Sequence, residues 1–112
     1  QSIWKFNTQE LEKVKILRYE NGGKYKWHTD CGSRETSLRK LTAIVQLSDE
    51  TKYEGGNLEF GITDKSGKNN YTAPRTRGSI TIFPAFLSHR VTSITKGRRY
   101  SLITWMLGDC FV

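Results

Sequence analysis

Cysteine and histidine are scarce in this chain, with two of each in 112 residues. Cys31 and Cys110 have no Cys-x-x-Cys spacing, which removes zinc-finger and thioredoxin-type sites. In a reducing compartment they are expected to remain thiols. Long apolar runs are also missing: a stretch such as Leu102–Leu107 is far too short to cross a bilayer. The N-terminus lacks the charged-then-apolar layout of a secretory signal. These absences predict a soluble, cytoplasmic protein without membrane contact. No internal repeat or composition shift divides the chain, so residues 1–112 read as a single domain with one core.

The charge is one-sided. Eighteen Lys and Arg face eleven Asp and Glu, for a net +7, so an acidic partner is favoured and nucleic acid has to be considered. The cations are scattered, however, and charge alone names no ligand.

Strand signals dominate what is present. Stretches rich in β-branched and aromatic residues, set between Gly, Asn, Asp and Ser clusters, predict strands over 14–19, 24–30, 40–47, 56–60, 79–83, 89–94 and 98–107. Seven strands in so short a chain imply an all-β sandwich or jelly roll. Helix is confined at most to a short N-terminal piece, Asn7–Lys13, where Asn7 could cap and Glu10 follows three residues later. Gly61–Gly78, with three glycines, a proline and no apolar period, reads as a long surface loop carrying Lys65, Lys68, Arg75 and Arg77.

Within Tyr25-Lys-Trp-His-Thr-Asp30, His28 and Asp30 lie two apart on a predicted strand and so project from one face. Together they supply two ligands of a 2-His-1-carboxylate facial triad, the set that holds non-haem Fe(II) with open positions. Such a pair is also what a surface His–Asp hydrogen bond looks like. His89 is the only other histidine, hence the only other imidazole able to complete the set. Downstream, period-2 alternation puts Arg99, Ser101, Ile103 and Trp105 on one face and Tyr100, Leu102, Thr104 and Met106 on the other. A guanidinium beside a hydroxyl is a receptor for one carboxylate, gripped through two charge-assisted bonds.

Several motifs in one order then carry a resemblance: Arg-Tyr19, Tyr25-x-x-His28-x-Asp30, Tyr53-x-Gly55-Gly56-x-Leu58, Gly78-Ser-x-x-x-Phe83-Pro84, His89-x-Val and Gly97-x-Arg99. From about Tyr19 to Trp105 the chain resembles the prolyl 4-hydroxylase-like branch of the Fe(II)/2-oxoglutarate-dependent oxygenases, in particular its short bacterial and phage members. The resemblance implies a double-stranded β-helix. It implies Fe(II) on His28, Asp30 and His89, with 2-oxoglutarate held by Arg99 and assisted by Ser101 and Tyr19. It further implies O2 as oxidant, ascorbate as reductant and a monomer acting on a peptide or protein. Gly55-Gly56 and Pro84 would shape the chain, and Trp27 and Trp105 would be core or pocket wall. Lys52, Arg75, Arg77 and Arg90 are read as solvated cations.

Two departures matter. The distal-carboxylate residue is Arg99, not the lysine of collagen-modifying members, which makes collagen-like substrates less suitable. The N-terminal region is short where relatives carry buttressing helices. Because the carboxylate of Asp30 is kept, hydroxylation is implied over halogenation. Two rival readings stand beside this one. Oxidation of a nucleic-acid base would suit the charge, but AlkB-type demethylases carry a second arginine six residues past the first, where this chain has Trp105. A non-catalytic module with a His/Asp/His zinc site would have no use for Arg99 and Ser101.

Overall fold

The computed structural model describes residues 8–32, 38–61 and 71–108. Strands form wherever β-branched and aromatic residues alternate with polar ones. They are β1 (Thr8–Leu11), β2 (Lys15–Glu20), β3 (Tyr25–His28), β4 (Arg39–Gln46), β5 (Tyr53–Gly55), β6 (Leu58–Phe60), β7 (Tyr71–Thr72), β8 (Ile80–Pro84), β9 (His89–Val91) and β10 (Ile94–Gly108). Glu50–Lys52 forms a 3-10 turn, capped by the Asp49 carboxylate, which accepts from the Thr51 amide at 2.9 Å.

All pairings are antiparallel and make two sheets. In the larger, β10 is central: β4 and then β8 lie to one side, β2 and β1 follow one another along the other, and β5 pairs with its first residues. The smaller sheet runs β3-β9-β6-β7. Inward residues of both sheets make the core, with Ile44, Ile103 and Trp105 from the larger and Leu58, Phe60 and Val91 from the smaller. Phe60 meets Phe83 edge-on at 4.7 Å, and Phe83 meets the His89 ring edge-on at 4.7 Å. Truncating Phe83 to Ala would cost about 3–5 kcal/mol and free the His89 ring on one side.

Burial alternates along β10 as the spacing predicts. Arg99, Ser101, Ile103 and Trp105 are buried, while Tyr100, Leu102, Thr104 and Met106 on the opposite face are half-buried. Across that outer face, paired residues are apolar too: Leu102 lies between Ile16 and Val45, and Val45 beside Ile80.

Several expectations are corrected. The short N-terminal helix is not formed: Thr8–Leu11 is a strand against Met106–Gly108, and Asn7 lies outside the described residues. A stretch this short cannot repay helix nucleation, whereas the last residues of β10 offer unpaired backbone groups. Tyr53–Gly55 and Tyr71–Thr72 are strands the sequence did not announce; the second pairs with β6, inside what reads as one long loop. Residues 62–70 of that loop, with Lys65 and Lys68, lie outside the described residues, as does Cys110. Ile94 opens β10 and does not close the His89 strand.

Candidate active site

His28 ends β3 and His89 opens β9, and the two are directly paired across the smaller sheet, their rings 4.2 Å apart. Asp30 is not on the strand with His28 but on the bend just after it. That bend is tied down by the amides of Asp30 and Cys31, which both donate to the carbonyl of Ala85, at 2.9 and 3.1 Å. This brings Asp30 Oδ1 to 3.3 Å from His28 Nε2 and 3.3 Å from His89 Nε2. The three ligand atoms lie within 4.8 Å of one another, with Asp30 and His89 buried and His28 half-buried.

The tautomers follow from the backbone. His28 Nδ1 is 2.6 Å from the carbonyl of Lys26, and His89 Nδ1 is 2.9 Å from that of Leu87. A carbonyl can only accept, so both Nδ1 atoms carry a proton, and each Nε2, turned to Asp30, donates to Oδ1 when its ring is protonated and offers a lone pair to a metal when it is neutral. The other oxygen of Asp30 is committed: Oδ2 accepts from Thr42 Oγ1 at 2.6 Å and from Trp105 Nε1 at 3.0 Å. Burial by itself pushes the Asp30 carboxyl up, but the bonds from His28, His89 and Thr42 reverse this and hold it below the ordinary carboxylate range. Burial lowers His28, and its bonds to Asp30 and the Lys26 carbonyl more than offset that, leaving it raised. Two imidazole lone pairs and a carboxylate oxygen converging on one point need a cation among them, and this donor set fits a divalent metal with free positions.

A cavity of about 110 Å³ opens from these three residues, and Arg99 lies in its wall. Arg99 is 1% exposed, and its Nε and Nη1 have no hydrogen-bond partner among the described residues. Burial draws the guanidinium below its ordinary value, partly offset by Tyr19 and Tyr53. Its guanidinium lies 5.1 Å from the centre of the Tyr19 ring. Gly56 stands behind it with φ +64°, where a side chain would start 3.0 Å from Arg99 Cδ and closer still to Ile94, so only glycine leaves room. Ser101 follows on the same face, 1% exposed. Orphaned donors on a buried charge cost free energy unless an anion enters, so this end of the cavity fits a carboxylate.

All six residues singled out in the sequence, His28, Asp30, His89, Arg99, Ser101 and Tyr19, therefore line one cavity. The two partners of Asp30 Oδ2 were not foreseen as such. Thr42 and Trp105 lie 12 and 75 residues from Asp30 and had no local signal. Trp105 is indeed pocket wall, but Trp27 is not core: it is 40% exposed. Arg75 is no solvated cation, since it donates to the carbonyl of Gly55 at 2.7 Å, to Asn57 Oδ1 and to the carbonyl of Tyr53, and stacks on the Tyr53 ring. Arg90 is paired with Glu59 at 2.7 Å.

Residues 14–107 match the family model of the 2OG-Fe(II) oxygenase superfamily, and the chain belongs to that family. Fe(II), 2-oxoglutarate and O2 come with it. Within it, the chain is 31% identical over 98 residues to a PKHD-type hydroxylase of Synechococcus sp. (strain CC9311), covering 88% of this chain and 43% of the relative. It is 33% identical over 93 residues to one of Shewanella oneidensis, covering 80% and 40%. The chain thus spans less than half the length of these curated relatives. A solved Pseudomonas putida prolyl-4-hydroxylase superposes with TM-score 0.77 at 21% identity, over 93% of this chain and 56% of that one. A prolyl hydroxylase of Trichoplax adhaerens, solved in complex with a hypoxia inducible factor oxygen degradation domain peptide fragment, superposes with TM-score 0.74 at 16% identity, over 89% and 45%. With the two antiparallel sheets, these likenesses identify the fold as the family's jelly roll, the double-stranded β-helix.

Proposed function

We propose that residues 1–112 act as one Fe(II)- and 2-oxoglutarate-dependent dioxygenase domain that hydroxylates a peptidyl proline, with release of succinate and CO2. The observation that carries the reading is Arg99, a buried guanidinium with two orphaned donors in the same cavity as the His28, Asp30 and His89 donor set. A structural metal site would give no reason to bury that charge. His28 and His89 would hold the iron through Nε2 and Asp30 through Oδ1. Arg99, with Ser101 and Tyr19, would hold the distal carboxylate of 2-oxoglutarate. When bound, iron would let O2 act as the oxidant, with 2-oxoglutarate supplying two of the four electrons it takes up and the hydroxylated substrate the other two.

The chain's own residues supply geometry and dryness. The carbonyls of Lys26 and Leu87 hold both rings with Nε2 turned inward. Thr42 and Trp105 occupy Oδ2 of Asp30, so that one oxygen is presented. Leu17, Ile44, Leu58, Val91 and Ile103 give the cavity apolar walls. The carboxylate of Asp30 favours hydroxylation over halide transfer.

The peptide substrate is supported by the names of the relatives and by the peptide bound to one structural neighbour. Base oxidation in nucleic acid is disfavoured because position 105, six residues past Arg99, is a tryptophan bonded to Asp30 and not the second arginine of AlkB-type demethylases. The reading includes ascorbate as reductant, a monomer and a cytoplasmic setting; among the described residues no helix is long and apolar enough to cross a membrane.

Anaerobic titration with Fe(II) and 2-oxoglutarate should give a weak visible charge-transfer band that His28→Ala abolishes. Wild-type protein without the band at saturating ligand would end the oxygenase reading. With O2, succinate release and an added oxygen are expected on proline-containing peptides and not on oligonucleotides; the reverse would end the prolyl part.

A further inference from the structure

Against β3 lies a second, open groove of about 500 Å³, lined on one side by Lys24, Tyr25, Lys26 and Trp27 and on the other by residues 90–93. We propose that this groove docks an acidic, extended segment of the polypeptide substrate, an inference that rests on the peptide reading above.

Charge is the first reason. Lys24 and Lys26 form no ion pair with the described residues, and Arg90 is the only cation of the groove already bridged to an acid, Glu59. Two unbalanced ammonium groups at one rim, on a chain of net charge +7, are complementary to carboxylates. Exposed aromatic surface is the second. Trp27 and Tyr25 are 40% and 48% exposed, and the Arg90 guanidinium holds the Trp27 ring at 4.7 Å. A fixed, half-open ring between cations suits apolar or proline side chains that alternate with acidic ones.

The third reason is continuity with the candidate active site. Tyr25 and Val91 line both the groove and the cavity, and the Tyr25 ring stacks on His28 with centroids 4.0 Å apart. A segment held in the groove therefore leads to the metal-ligand edge.

The test uses the full chain and fluorescein-labelled peptides of twelve residues, alternating proline with glutamate or proline with lysine, and a labelled dT12 oligonucleotide. By anisotropy, the glutamate peptide is expected to bind more tightly than the lysine peptide, and less tightly as salt rises. Lys24→Glu with Lys26→Glu should weaken it on the order of tenfold, and Trp27→Ala several-fold. Both variants change exposed groups and should keep the charge-transfer band with Fe(II) and 2-oxoglutarate, which verifies that they fold. Equal binding of the two peptides, or charge reversal without effect, would overturn the proposal. Tighter binding of dT12 that the charge reversal abolishes would overturn it as well, by assigning the groove to nucleic acid. A wild-type chain that lacks the band but binds the glutamate peptide as expected would remove the oxygenase reading and leave the docking surface standing.

Discussion

Replacing Arg99 by methionine should move two measured quantities in opposite directions. In the ligand-free chain Arg99 is 1% exposed, with Nε and Nη1 unpartnered. A buried polar group left without a partner costs about 1–3 kcal/mol, and more when charged. Methionine has similar length and reach but no donors, so Arg99→Met should stabilise the ligand-free protein by about 1–3 kcal/mol, less whatever is lost against the Tyr19 ring. That corresponds to a rise in Tm of about 4 °C or more for a domain of this size. Binding of 2-oxoglutarate goes the other way. Removing one partner of a buried ion pair typically costs about 3–5 kcal/mol, so the Kd should rise by roughly two to four orders of magnitude. Thermal unfolding with Mn(II) held constant, with and without 2-oxoglutarate, reads both. At a hundred times its Kd the ligand should add about 2.7 kcal/mol to wild-type stability and almost nothing to the variant. A variant that is less stable without ligand and still gains the full increment with it would mean that Arg99 is a structural cation, and the carboxylate site would be abandoned.

Thr42→Val keeps the shape of a fully buried side chain and removes the 2.6 Å bond to Asp30 Oδ2, leaving the Trp105 indole to orient the carboxylate alone. Metal affinity by competition titration should fall about 10- to 100-fold with the fold intact. Arg75→Ala removes hydrogen bonds to Gly55, Asn57 and Tyr53 and the stack on Tyr53; urea unfolding should show a loss of about 1–3 kcal/mol, against less than about 0.5 for exposed Arg77→Ala. For pH, the raised His28 lets the metal-free chain hold a proton above the ordinary histidine value of about 6.5. The stability this contributes is complete below that value and is lost as pH rises through the folded one. Metal must displace the proton, so metal affinity should instead fall as pH drops through the same range. Titrations between about pH 5.5 and 8.5 that found metal affinity flat would contradict the assignment.

Much of the site was legible because its signals are local and periodic. Alternation along one strand is enough to put Arg99, Ser101, Ile103 and Trp105 on one face, and the strand type follows from β-branched and aromatic residues that suit a half-buried pleat. His28 and Asp30 stand two apart, and His89 is the sole histidine left, so a candidate donor set can be named without coordinates. The sequence could not say that Asp30 lies beyond the end of β3 and is turned inward by two amides bonded to Ala85. Nor could it say that Thr42 and Trp105 take one of its oxygens, because cross-strand neighbours depend on register, and register depends on which faces are buried together. Arg75 and Trp27 were misjudged for the same reason. A cation in a polar stretch became a brace because Tyr53 and Gly55 of β5 and Asn57 lie beside it, and a tryptophan next to inward-turned His28 on β3 stayed half in solvent. Composition and spacing by themselves determine the longer strands, the inward face of β10 and the residue types available for metal and carboxylate. The tertiary structure alone decides that these meet in one cavity with two guanidinium atoms left without a partner among the described residues, since only packing takes that charge out of water and favours an anion beside it.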